Sequence, residues 1–136
     1  MKPERIDLRG RGGTSLARQV LKTRAREVQR QAAGLEHRDK GGLHDFRIAC
    51  KRLRYALERF EDREPPLQAT AECLTRLQDA LGEAHDRDVL LSVLPPTMPQ
   101  TERRLREERE SYVDRASVLW REVQELARAC ALMRFE

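Results

Sequence analysis

The sequence predicts an all-helical protein folded as an antiparallel bundle of four long helices, and three observations carry that expectation. Leu, Ala, Glu and Arg dominate a 136-residue chain in which only 4% of residues are aromatic, a mixture that favours helix over sheet. Apolar residues recur three and four apart through four segments, which is the period of one helix face. Gly and Pro clusters fall between those segments and leave only short connections. Long helices joined by short connections pack as antiparallel neighbours, and no alternating strand pattern competes. A chain of this length forms one domain with one core.

Residues 1–13, with Pro3, Gly10, Gly12 and Gly13 among alternating charges, read as a flexible, mildly basic arm, and residues 14–136 as the helical domain. Thr14 or Ser15 is placed to cap the first helix. That helix is expected over residues 15–37, with Leu16, Val20, Leu21, Val28, Ala32 and Leu35 on its apolar side, and Gly41 and Gly42 break the chain after it. The second helix is expected over residues 43–63. Its Leu43, Phe46, Cys50, Leu53, Leu57 and Phe60 alternate spacings of three and four, a heptad seam. Pro65 and Pro66 force a stop and restart. The third helix, over residues 67–94, uses Leu74, Leu77, Leu81, Ala84, Leu91 and Leu94, with Gly82 as a point of kinking or close packing. Pro95, Pro96 and Pro99 punctuate again. The fourth, over residues 100–133, has the longest seam: Leu105, Arg109, Tyr112, Ala116, Leu119, Val123, Leu126, Cys130 and Met133.

Charge and cysteine usage narrow the function classes. The net charge of +4 arises from 27 basic and 23 acidic residues, too modest to define a ligand, so the distribution of charge matters more than its sum. The basic residues are mostly Arg, whose forked donors suit phosphate oxygens. Cys50, Cys73 and Cys130 are widely spaced, odd in number and at apolar-periodic positions. They read as buried free thiols of a cytoplasmic protein rather than as a disulfide or zinc set. No apolar run is long enough to cross a membrane, and no leader segment is evident.

The second helix carries the candidate site. At about 100° per residue, His44, Arg47, Lys51 and Arg54 fall on one strip beside the seam, with Tyr55 next to them. Like charges three and four apart oppose one another until an extended anion neutralises them. A solvated arginine-rich face has the same spacing, and Asp45, Glu58 and Glu61 can offset part of the charge, so periodicity leaves both readings open. The third helix adds His85 followed by Asp86, Arg87 and Asp88. Its acids could orient His44, His85 or the second-helix arginines, or could be ordinary exposed ion-pair partners. Arg18, Lys22 and Arg26 repeat on the first helix, and Arg103, Arg106 and Arg109 on the fourth. If both sets turn toward His44, a basic groove results.

The stretch from Leu43 to Leu57, LHDFRIACKRLRYAL, followed downstream by Leu77 to Leu90, LQDALGEAHDRDVL, resembles the CHAD family. Its pattern is a His-Asp-x-Arg helix rich in Arg and Lys, then a Leu-Gly helix ending in Asp-x-Asp-Val. The resemblance implies a helical fold whose basic surface binds inorganic polyphosphate, with association to polyphosphate granules. It places His44, Arg47, Lys51, Arg52 and Arg54 on the family's basic helix and Asp86 and Asp88 in its second motif. Position 85 is His, where the family more often has Arg or Asn. The family's domain usually holds two four-helix repeats facing each other across the basic cavity. This chain supplies one repeat's worth of helices, so a homodimer is expected to rebuild the cavity.

The expected function is therefore non-catalytic binding of polyphosphate through His44, Arg47, Lys51, Arg52 and Arg54, joined by Arg18, Lys22 and His85, without a cofactor. A histidine phosphotransfer domain built on His44 is the main alternative, although the chain has no nucleotide-binding motif. Metal chelation by His44, His85, Asp86 and Asp88 is a third reading, without the His or Cys spacing of a zinc site. Nucleic acid is a less suitable partner, because aromatic residues for base stacking are few. No nucleophile–base pair, Gly-rich phosphate loop or paired-carboxylate centre points to catalysis.

Overall fold

The computed structural model describes residues 2–7, 12–60 and 65–130, and every regular element among them is helical. In order these are α1 (Gly13–Gln31), the short α2 (Ala33–His37), α3 (Lys40–Phe60), α4 (Pro65–Val93) and α5 (Pro99–Arg128). The four long helices share one core. Leu21 and Val28 of α1, Phe46, Leu53 and Leu57 of α3, Leu67, Leu74 and Leu77 of α4, and Val113 and Val123 of α5 are fully buried in it. Each such side chain contributes on the order of 1.5–3 kcal/mol by leaving water. Trp120 meets the ring of Phe46 edge-on, with centroids 5.4 Å apart. α3 lies between α1 and α4, and α5 packs against α4. Among the described residues α5 comes close to α2 but not to α1, so that side of the bundle stays open.

Several boundaries differ from those expected of the sequence. The first helix is split at Ala32, whose N–H donates to Gln29 O at 3.3 Å, so α1 and α2 meet at a bend. α1 begins at Gly13, so its N-cap residue is Gly12 rather than Thr14 or Ser15. Gly41 and Gly42 do not break the chain. The break lies at Arg38, which takes the left-handed conformation (φ 58°), and both glycines belong to α3. Asp39 starts that helix by accepting the Gly42 N–H at 3.0 Å. Gly42 serves packing instead: a Cβ on Gly34 would run into its carbonyl. Gly82 neither kinks α4 nor touches another helix, since a Cβ there would meet nothing.

α4 starts at Pro65 itself, whose fixed φ and missing N–H suit a first helical turn. The expected end of the second helix at residues 61–63 and the seam position Met133 lie outside the described residues. So do residues 1 and 8–11 of the expected arm. Its Glu4 is bonded to α1: the Glu4 carboxylate accepts from Arg30 at 2.8 Å and its carbonyl from Arg24 at 3.5 Å. All three cysteines are free and buried. Burial pushes the Cys50 thiol far above the ordinary thiol range, and burial followed by the Glu122 charge raises Cys73. No helix among the described residues is long and apolar enough to cross a membrane.

Candidate functional site

The candidate site lies along the seam between α3 and α4, near the N-terminal end of α3. His44 and His85 project from facing helices with ring centroids 6.4 Å apart and planes inclined by 38°. Lys40, His44 and Arg47 of α3 and His85 and Asp88 of α4 line a small cleft there, with Leu43, Leu81 and Ala84 as its apolar floor. Both histidines are exposed and Arg47 is half-buried. The Nε of Arg47 is buried and has no hydrogen-bond partner among the described residues, an uncommon state for a charged donor. Farther along the same strip, Lys51 and Arg54 flank Tyr55 at 5.8 and 5.0 Å from its ring centroid, within cation–π range. Arg54 also lies 3.9 Å from Glu58, whereas Arg47 and Lys51 pair with no carboxylate among the described residues.

The remaining candidates are placed elsewhere. Arg52 sits on the other flank of α3 and approaches Glu27 of α1 at 3.8 Å. Glu27 is itself buried and paired with Arg24. Arg18, Lys22 and Arg26 lie on the side of α1 turned away from Glu27, by roughly 100° to 180° at helical spacing. None of them is among the residues that line the His44–His85 cleft. Arg26 instead lines a cleft with Trp120 and Gln124 of α5. Arg103 and Arg106 are exposed on α5, with Arg106 bonded to Glu102 at 2.9 Å.

Asp88 and Arg109 were expected in other roles. Asp88 is only 8% exposed and accepts from Arg109 Nε at 2.6 Å, while Arg109 Nη2 donates to the Arg38 carbonyl, also at 2.6 Å. Asp88 therefore does not sit in solvent: it holds Arg109 of α5, which in turn bonds the left-handed turn before α3. Arg38 in turn pairs with Glu110 and Asp114 at 2.7 Å each, and these contacts hold its guanidinium above its ordinary pKa. Arg87 bonds Glu108 at 3.0 Å, pairs with Glu83 and lies 4.9 Å from the Tyr112 ring centroid. The Glu108 and Glu83 contacts raise its pKa likewise. Asp86 is exposed.

Lys40 is the candidate that sequence reasoning missed. It stands four residues before His44, so the spacing of the strip pointed to it, but a chain break assumed at Gly41 and Gly42 concealed it. It also borders a cavity of about 540 Å³ at the end of the bundle, opposite Arg106. Among the described residues no group of three or more His, Cys, Asp or Glu side chains is close enough to hold a metal ion.

No curated protein and no solved structure matches the chain. A family model, that of the CHAD domain, matches residues 5–95. The matched stretch takes in α1 to α4, including both faces of the His44–His85 seam, and leaves α5 beyond it. By that match over about two thirds of its length, the chain belongs to the CHAD domain family.

Proposed function

We propose that the α3–α4 face binds linear inorganic polyphosphate without transforming it. The observation that carries this reading is the separation of paired from unpaired basic side chains. Arg24, Arg38, Arg87 and Arg109 are tied to carboxylates. Lys40, His44, Arg47, Lys51 and His85 gather on one face with no carboxylate partner among the described residues. Concentrating like charge costs helix stability, most of all near the N-terminus of α3, where the helix dipole already favours an anion. A bound polyanion reverses the sign of both effects.

The same reading extends to helix direction and assembly. An antiparallel order is supported by contacts that rise along α4 as they fall along α5: Thr70 meets Cys130, and Asp88 meets Arg109. Two copies facing each other would surround one anion with two His44 strips, and polymer binding would bring the protein to polyphosphate granules. The test is a titration with long-chain polyphosphate, comparing the unaltered protein with Arg47→Glu/Lys51→Glu. The reversed pair should bind roughly a hundredfold more weakly at low salt, and binding to the unaltered protein should weaken steeply as salt rises. Equal affinity of the two proteins refutes the site, and light scattering of the complex tests the pairing of copies.

A further inference from the structure

The side of the bundle where α1 and α5 do not meet holds two adjoining cavities of about 440 and 650 Å³, which share Gln29, Ala32, Trp120 and Gln124. Arg26, Arg30, Arg38 and Arg121 line them, and Glu36 is the only carboxylate among the described lining residues. Two of those arginines are committed elsewhere, Arg30 to Glu4 and Arg38 to Glu110 and Asp114. Arg26 and Arg121 are exposed and pair with no carboxylate among the described residues; Arg26 makes one long contact, to the Thr23 hydroxyl at 3.5 Å. Helical spacing extends each wall. Arg18 and Lys22 continue the stripe of Arg26 along α1, and Arg128 continues that of Arg121 and Gln124 along α5.

We infer that this cleft is a second anion-binding groove, distinct from the α3–α4 face, and that it takes a segment of a linear phosphate polymer between Arg26 on α1 and Arg121 on α5. Cationic walls with an amide donor at Gln124 suit phosphate oxygens. A nucleobase suits it less well. Trp120 is only 8% exposed and its ring is engaged by Phe46, so little aromatic face is left for stacking. With grooves on two sides, one copy of the chain holds two segments of polymer and links them.

Trp120 is the only tryptophan in the chain, and it lines this cleft and not the His44–His85 face. Its emission is therefore the readout for this groove, and Arg47→Glu/Lys51→Glu controls for effects passed through Phe46. The full chain is titrated with a linear inorganic polyphosphate while Trp120 fluorescence is followed, in the unaltered protein, in Arg47→Glu/Lys51→Glu and in Arg26→Glu/Arg121→Glu. Circular dichroism checks that each variant is folded, and Arg26→Gln/Arg121→Gln replaces the reversed pair if it is not. A saturable change in the first two proteins that is lost in the third is the expected result. An unresponsive Trp120 overturns the second groove, as does a response that survives in the Arg26/Arg121 variant or vanishes in the Arg47/Lys51 variant. Failure of the α3–α4 site is read separately, from total affinity that Arg47→Glu/Lys51→Glu leaves unchanged.

Discussion

Arg109 occupies a seam position that an apolar side chain would fill, and its ion pair with Asp88 shows why a cation is tolerated there. The pair is nearly enclosed, with side chains 13% and 11% exposed, and Arg109 spends a further donor on the Arg38 carbonyl. Removing Arg109 leaves Asp88 buried without its counter-charge, which costs about 3 kcal/mol, whereas Arg109 without Asp88 keeps Glu110 at 3.0 Å. Arg109→Met should lower stability in urea by about that much and Asp88→Asn by less, and the double variant by clearly less than their sum. Polyphosphate affinity of Asp88→Asn at a temperature where it is folded should match that of the unaltered protein. A large loss of affinity with stability unchanged would instead give Asp88 the orienting role that sequence alone suggested.

At the scale of the helices, the glycines divide by what surrounds them. Gly34 and Gly42 let α2 and α3 cross in backbone contact, and any side chain on Gly34 meets carbonyl atoms that cannot step aside. Gly82 lies within α4 with open space where a Cβ would stand. Gly34→Ala should therefore destabilise by about 1–3 kcal/mol through overpacking, and Gly82→Ala should stabilise by up to about 1 kcal/mol through helix propensity. Thermal melts of the two variants decide it, and equal shifts would mean that the α2–α3 crossing relaxes freely. The sequence showed that glycines lay at both places. It could not show which of them faced another backbone, because that depends on where two helices cross.

For the molecule as a whole, charge is sorted into ion pairs that link helices and cationic faces without carboxylate partners among the described residues. Links such as Arg87–Glu108 and Arg38–Asp114 tie α4 and α2 to α5, while the His44–Lys51 strip keeps like charges together. That strip is a cost in the free protein. Arg47→Gln/Lys51→Gln should raise the unliganded stability by about 0.5 kcal/mol, as expected for relieving one such repulsion. The unaltered protein should gain stability with polyphosphate, about 2.7 kcal/mol at a hundredfold excess over Kd, and the variant should gain far less. Calorimetric melts with and without polyphosphate measure both effects, and identical gains would remove the strip from the ligand.

The helices were legible because burial imposes a period of three and four on residues such as Leu43, Phe46, Cys50, Leu53 and Leu57, whatever lies opposite. His44, Arg47, Lys51 and Arg54 were legible for the same reason: neighbours on one helix face are fixed by spacing within one segment. Contacts between segments were not. Whether Arg52 turns to Glu27 or to the strip, whether Asp88 meets Arg109, and whether Arg26 borders Trp120 depends on the rotation of each helix about its own axis. Packing of the shared core sets that rotation. The sequence by itself thus determined an all-helical CHAD-type chain with a basic strip on its second long helix. Only the tertiary structure decided which other charges reach that strip, since a single helix carries no information about what it faces.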